Sequence, residues 1–402
     1  MVGESMTADT ALPIGKVAVL RDADEALAAA HELADVFRAA ADRLDRSREV
    51  PVEELTSLAE SGLLGIRVPR EFGGAGVSYE TVVRVFVVLS RASGSLGQVP
   101  QNHFHLIEPL FSDGTLEQKR HFAAEILAGH RFGNAQAERG SRPVLSLPTT
   151  TLTETGHGTV VLDGVKHYST GALTAQWIPV QAATESGEFS LTYVPRDAAG
   201  LTVVDDWDAM GQRSTHSGTV RLSGVEVPEL FSLRPFDGHH RKNTFPPYAT
   251  VIHAAVDVGI GLGVLHRGAE LLRDVARPWR TAHVDRAVDD PLTAYRVGKL
   301  GTHVHAAEQL LYEAARRLDH ADVVRTEHDY ERAAVTVAEA SAFASESAER
   351  AASELFEFIG ARSTSDSLNF HRYWRDVRTH STHDPARWKF HRAGRWLLDG
   401  SV

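Results

Sequence analysis

The 402-residue chain contains no cysteine. Disulfides, thiolate metal centres, iron–sulfur clusters and cysteine nucleophiles are therefore excluded. It also lacks an excess of positive charge: 42 Lys and Arg stand against 53 Asp and Glu, a net charge of −11, and there is no long basic run. Nucleic acid and anionic membrane are thus not expected partners. No apolar run approaches the ~20 residues of a membrane span. Met1 to Lys16 shows no charged start followed by an apolar core, so residues 1–20 are expected to be a flexible terminus and the protein cytoplasmic.

Hydrophobic residues make up 43% of the chain, enough to bury two or three packed layers. Residues 21–48 are Ala-rich, with Leu27, Leu33, Phe37 and Leu44 at helical spacing. Pro51 suits the first turn of a second helix ending near Gly62, and Ser78 caps a third through Leu89. Thr115 and Gln118 form a capping box for a helix to Leu127. From about Arg131 the pattern changes to short β-branched segments separated by Gly, Asp and Pro: 149–153, 159–162, 178–183, 189–194, 201–204 and 219–227. Beyond Pro246-Pro247, helical patterns cover 249–275, 291–318, 330–359 and 367–378. The expected fold is α+β, mostly α. A helical domain spans 21–130, an antiparallel β-domain 131–235 and a four-helix bundle 245–402.

Four local motifs, in order, sharpen this layout. They are Val68-Pro69-Arg70-Glu71-Phe72-Gly73-Gly74-Ala75-Gly76, Gly164-Val165-Lys166-His167-Tyr168-Ser169-Thr170-Gly171, Met210-Gly211-Gln212-Arg213-Ser214-Thr215 and Val225-Glu226-Val227-Pro228. Together they resemble the acyl-CoA dehydrogenase superfamily over residues 25–398. Asp205-Asp206-Trp207 and the late His380-Ser381-Thr382-His383-Asp384-Pro385 are most similar to the dibenzothiophene monooxygenase branch.

The resemblance implies a flavin platform built from Asn134, Gln136, Tyr168, Ser169, Thr170 and Trp207, within a first segment that runs from Asn134 to Ser141. Amide and backbone donors there suit a reduced isoalloxazine, which is rich in acceptors. It also implies a phosphate site, supplied by a neighbouring subunit, from Arg280 and Arg362. Arg362 stands where relatives often carry a glycine-rich turn around adenosine, and its guanidinium suits a terminal monophosphate. That favours FMN over FAD.

The superfamily's dehydrogenases take a substrate proton with a glutamate from a late loop or from the first helix of the C-terminal bundle. The loop here reads His380-Ser381-Thr382-His383, and the helix start Phe245 to Ala255 has neither Glu nor Asp. His383, His380 and His103 are the candidate proton-handling groups, since a neutral imidazole can donate or accept near pH 7. Asp384-Pro385 reads as a helix start with Asp as N-cap, and Asp376 as an ion-pair partner within an arginine-rich motif. The other histidine pairs, including His239-His240, lack metal-ligand spacing, so no metal site is expected. Gly259-Ile260-Gly261-Leu262-Gly263 sits within a helical pattern with no preceding strand, so it reads as helix packing rather than a dinucleotide loop.

The expected function is a two-component flavin monooxygenase. A separate NAD(P)H-dependent reductase would supply reduced FMN. O2 would give a C4a-hydroperoxide that oxygenates a small hydrophobic, heteroatom-containing or aromatic substrate. A homotetramer is expected from the resemblance. The alternatives are an FAD-dependent acyl-CoA dehydrogenase with a displaced base and a flavin oxidase on the same fold.

Overall fold

Asp22 opens the first helix by accepting the Glu25 N–H at 2.9 Å, and Arg48 closes it in the left-handed region. A computed structural model describes residues 12–140, 147–238 and 242–401. The N-terminal helices are α1 (Ala23–Ser47), α2 (Val52–Glu60), α3 (Tyr79–Ala92), α4 (Gly94–Gln98), α5 (Gln101–Asp113) and α6 (Leu116–Leu127). Ser78 caps α3, and both halves of the Thr115–Gln118 capping box are present at α6. Residues 12–20, expected to be loose, are held in place. Leu12 is buried, Gly15 N–H donates to Glu60 Oε1 at 2.8 Å, and Ala18 N–H donates to the Glu60 carbonyl at 2.8 Å. Residues 1–11 lie outside the described residues.

Among the described residues seven strands form one sheet in the order β5-β6-β2-β1-β3-β4-β7. They are β1 (Thr151–Glu154), β2 (Thr159–Lys166), β3 (Trp177–Thr184), β4 (Phe189–Pro195), β5 (Leu201–Val204), β6 (Thr219–Pro228) and β7 (Ser232–Leu233). The sheet is not wholly antiparallel. β1 runs parallel to β3, and so do the isolated bridges Phe132–Trp177 and Ala135–Val180. Leu152, Val160, Ile178, Val180 and Val225 fill its inner face.

The C-terminal helices are α7 (Phe245–Asp274), α8 (Pro291–Val324), α9 (Glu327–Ile359), α10 (His371–His380) and α11 (Ala386–Asp399). The expected bundle therefore has three long members and a fourth broken in two. α7 is long and apolar enough to cross a membrane, although no such run was expected, but most of it is buried within the bundle. Its apolar residues serve the core on all sides. A Cβ at Gly259 would lie 2.6 Å from Ser90 Cβ, so glycine there lets α7 and α3 touch. Phe37 and Phe86 share one cluster with Ile260, Leu311 and Leu355. The first and last helical segments thus enclose a single core, with the sheet packed beside it.

Candidate functional site

Residues 131–136 run beside β3. Gly133 N–H donates to the Trp177 carbonyl at 2.8 Å and Ala135 N–H to that of Pro179 at 3.0 Å. Strand alternation buries Ala135 and turns Asn134 and Gln136 to the other face, half-buried. Gln136 Nε2 donates to Asn134 Oδ1 at 3.1 Å, and Asn134 Nδ2 reaches the Tyr168 carbonyl at 3.4 Å. Tyr168 has φ +55° and is 55% exposed; its ring meets Trp207 edge-to-face at 6.4 Å. Thr170 Oγ1 pairs with Ser217 Oγ at 2.7 Å, and Ser217 with Thr215 Oγ1 at 2.8 Å. Thr215 Oγ1 and Trp207 Nε1 both donate to the Gln212 carbonyl, each at 2.9 Å. Asn134, Gln136, Tyr168, Ser169, Thr170 and Trp207 therefore gather on one side of the sheet. Ser141, at the end of the first segment, lies outside the described residues.

Two polar groups at this edge are buried without a hydrogen-bond partner among the described residues: Ser169 Oγ and the Gln212 side-chain amide. Buried polar atoms cost about 1–3 kcal/mol when left unmet. A group with closely spaced donors and acceptors would satisfy them, and the pyrimidine edge of an isoalloxazine is such a group. The residues present fit a flavin. Gln212 was not among the expected platform residues; its place after Gly211 in the Met210–Thr215 motif was the available signal, and its backbone lies in the left-handed region (φ +52°).

The Gln212 loop is held by α10. A Cβ at Gly211 would lie 1.9 Å from the Arg375 carbonyl oxygen, so only glycine lets the loop rest there. Arg375 grips both oxygens of Asp45, at 2.9 and 2.5 Å, and also donates to the Met210 carbonyl at 2.8 Å. Asp376 was expected in an ion pair, but its Oδ1 accepts the Gln212 N–H at 2.7 Å. Burial pushes the Asp376 carboxyl up to about 6.

At the other end of α10, one turn after Asp376, His380 enters a buried chain. Asp257 Oδ2 accepts from Ser345 Oγ at 2.6 Å, and its Oδ1 lies 2.6 Å from His380 Nδ1. His380 Nε2 lies 3.0 Å from His253 Nδ1. The His253 ring packs on that of His383 at 4.3 Å. Burial, then the neighbouring His383, His380, Lys389 and His105, hold His253 well below the usual imidazole range, so it is neutral. His383 itself is exposed; its Nδ1 lies 3.4 Å from Asp384 Oδ1, and that contact lowers the Asp384 carboxyl. Asp384 does not cap α11. The residue before that helix is Pro385, with no side-chain cap, and the Asp384 carboxylate is turned to His383 and, at 3.9 Å, to Lys389.

His380 and His383 thus come together, and His253 and Asp257 join them. Sequence reasoning passed over both, because the start of α7 was read for a missing carboxylate rather than for a histidine with an aspartate at i+4. His103 requires correction. It is fully buried; Nε2 donates to the Leu64 carbonyl at 2.9 Å while Nδ1 accepts the Phe132 N–H at 3.2 Å. Burial lowers it to about 3, and no ring atom is left for substrate. Its neighbour two residues on, His105, stacks on Phe245 at 4.0 Å and influences His253. Arg280 and Arg362 are exposed. Arg362 Nη1 donates to the Val275 carbonyl at 3.2 Å, which sets its turn against the end of α7, five residues before Arg280. Among the described residues no interaction joins either arginine to the platform. His239 and His240 lie outside the described residues.

Family models for the N-terminal, middle and C-terminal domains of acyl-CoA dehydrogenase match residues 22–130, 134–225 and 251–388. Dibenzothiophene monooxygenase of Rhodococcus qingshengii is 34% identical over 400 residues, covering 94% of this chain and 95% of that protein. A probable FMNH2-dependent monooxygenase, SfnC of Pseudomonas putida, is 28% identical, covering 93% and 95% respectively. The crystal structure of FMN-bound TdsC from Paenibacillus sp. A11-2 superposes with a TM-score of 0.88 at 30% identity, covering 93% of this chain and 97% of that one.

Proposed function

The chain belongs to the acyl-CoA dehydrogenase family, in its dibenzothiophene monooxygenase branch, and from that premise we propose that it is a two-component flavin monooxygenase working with reduced FMN and O2. The carrying observation is the replacement of a reachable carboxylate by imidazoles. Asp257, the carboxylate on α7 beside the late loop, has a side chain 3% exposed and is committed to His380 and Ser345. It cannot abstract a proton from a substrate carbon. His253 and His383 occupy the facing positions.

When bound, reduced FMN supplies the electrons that activate O2. The chain's own residues do the rest. Asn134, Ser169 and Gln212 offer polar atoms to the flavin edge, and Tyr168 and Trp207 form a wall beside it. His383 Nε2, left open by the Nδ1 contact with Asp384, holds or delivers a proton. Arg280 and Arg362 serve a terminal phosphate on a neighbouring copy, and Arg362 in place of a glycine-rich turn favours FMN over FAD. A homotetramer belongs to the same proposal. Supporting it, α11 exposes Phe390, Leu397 and Leu398, apolar side chains toward one side of the helix that a partner subunit would cover. So do a cytoplasmic location and a separate NAD(P)H-dependent flavin reductase whose product reaches this chain by diffusion.

The test is aerobic turnover of dibenzothiophene, as a probe aromatic thioether, with reduced FMN. An oxygenated product supports the proposal. Reduction of an artificial acceptor by a panel of acyl-CoAs, in proportion to protein concentration, overturns it.

A further inference from the structure

The chain Asp257, His380, His253 leads from a carboxylate in the core of the bundle toward the exposed His383. Its order fixes where protons sit. Both Asp257 oxygens act as acceptors, one from Ser345 Oγ and one facing His380 Nδ1 at 2.6 Å. A carboxylate acceptor selects the tautomer of His380 with its proton on Nδ1. His380 Nε2 is then a bare acceptor, and the 3.0 Å contact requires His253 to place its own proton on Nδ1. His253 Nε2 is left without a proton. The His253 ring on α7 is thereby set as a base by Asp257, two links away.

We infer that Asp257 is a positioning residue, and that Asp257, His380 and His253 form a proton relay leading to the exposed His383. This rests on the monooxygenase reading for the use of the proton, but not for its existence. A proton bonds to His253 Nε2; the proton on His253 Nδ1 breaks away and bonds to His380 Nε2. The result is neutral His253 with its proton on Nε2 and a His380 imidazolium against the Asp257 carboxylate. Reversal returns the proton. Charge and atoms balance with no other reagent. The design separates two tasks: the cationic form is stored where a buried carboxylate stabilises it, while His253, kept neutral by its surroundings, packs on the exposed His383. The titratable groups that bear on the pair are Asp257 on α7, His105 on α5, His383 and Asp384 in the loop, and Lys389 on α11.

The test uses the full chain with nitrogen-15-labelled histidine. Spectra at neutral pH should show Nδ1–H on both His380 and His253, with both Nε2 atoms unprotonated, and one shared midpoint on acidification. Asp257→Asn removes the stabilising charge and should lower that midpoint by at least one pH unit. Ser345→Ala removes a donor that competes for the carboxylate and should move it upward. Opposite signs from two neutralising or deleting changes are not expected of a merely structural site, and Ser345→Ala decides the matter if Asp257→Asn fails to fold. Unprotonated Nδ1 on His380, or unchanged midpoints in folded variants, overturns the relay. A second arm reads hydrogen peroxide release from the reduced-FMN complex in air as a function of pH. Its inflection should follow the shared midpoint through both variants. A fixed inflection beside moving midpoints overturns the link to the flavin chemistry. Failure to bind reduced FMN would instead sink the monooxygenase reading, with the spectra still deciding the relay.

Discussion

Asp257 and His380 are 123 residues apart in the chain and 2.6 Å apart in the fold, with side chains only 3% and 1% exposed. This contact ties α7 to α10. Four residues earlier on α10, Asp376 holds the Gln212 N–H at 2.7 Å. Residues at i and i+4 share a helix face, so one short helix positions a loop of the proposed flavin platform and the histidine chain together. Errors in its placement would reach both.

His383→Ala tests the proton role. Its ring is exposed and packs on His253, so little core is lost with it. Oxygenated product should fall roughly 10²–10⁴-fold. Reduced-FMN affinity should stay within a few-fold, and hydrogen peroxide release should rise. Normal coupling in the folded variant would remove His383 from the chemistry. Asp384→Ala should act through the orientation of His383 and not through a helix cap, since α11 has no side-chain cap; an unchanged thermal midpoint with reduced coupling is the expected pair of results.

Arg362→Ala addresses the phosphate. Among the described residues this guanidinium makes one hydrogen bond, to the Val275 carbonyl at 3.2 Å, so its removal should leave stability nearly intact. Loss of a charge-assisted contact to phosphate costs about 1.5–3 kcal/mol, roughly ten- to a hundredfold in affinity. Titration of the variant with reduced FMN checks this. Equal affinities for reduced riboflavin and reduced FMN in the wild type would also remove the role.

Local devices in this fold were legible in the sequence, and distant ones were not. The Thr115–Gln118 box and the Ser78 cap act within four residues, and both stand where expected. α5 went unseen because nearly all of its residues from Gln101 to Leu110 are buried and Pro109 lies inside it, so no amphipathic period appears. The parallel pairing of β1 with β3 depends on the chain's route between them, which alternation does not encode. At the site, the proposed platform residues were named through resemblance, while His103 was misread because its neighbours Leu64 and Phe132 are remote in sequence. Asp257 was missed because the carboxylate sought on α7 was looked for only as far as Ala255, and its partner His380 is remote in sequence.

Arg375→Lys should cost stability and flavin affinity together. A lysine cannot span both Asp45 oxygens and the Met210 carbonyl at once. Leaving a buried carboxylate partly unpaired costs about 3–5 kcal/mol. Denaturant unfolding should show that loss, and reduced-FMN binding should weaken because the Gln212 loop rests on the same turn of α10. Full affinity in the folded variant would show that the platform does not depend on this clamp.

His103 sets the final prediction. Held at about 3 by burial, against an ordinary value of 6.5, it binds no proton in the folded protein near neutrality but takes one when unfolded below 6.5. The unfolded state then binds more protons, so stability is complete above pH 6.5 and falls as pH drops toward 3. The slope reaches about 1.4 kcal/mol per pH unit for one group. His253, also lowered, adds in the same direction. Asp376, raised from 3.8 to about 6, acts oppositely, losing stability as pH rises through that window. Comparison with His103→Phe cancels both. That variant strands the Leu64 carbonyl and the Phe132 N–H, at about 1–3 kcal/mol each, so it should be less stable at pH 7.5. Its stability should also fall less steeply between pH 6 and 5. Urea unfolding at these values measures both terms. An unchanged slope would show that His103 takes up a proton in the folded state and is open to the chemistry after all.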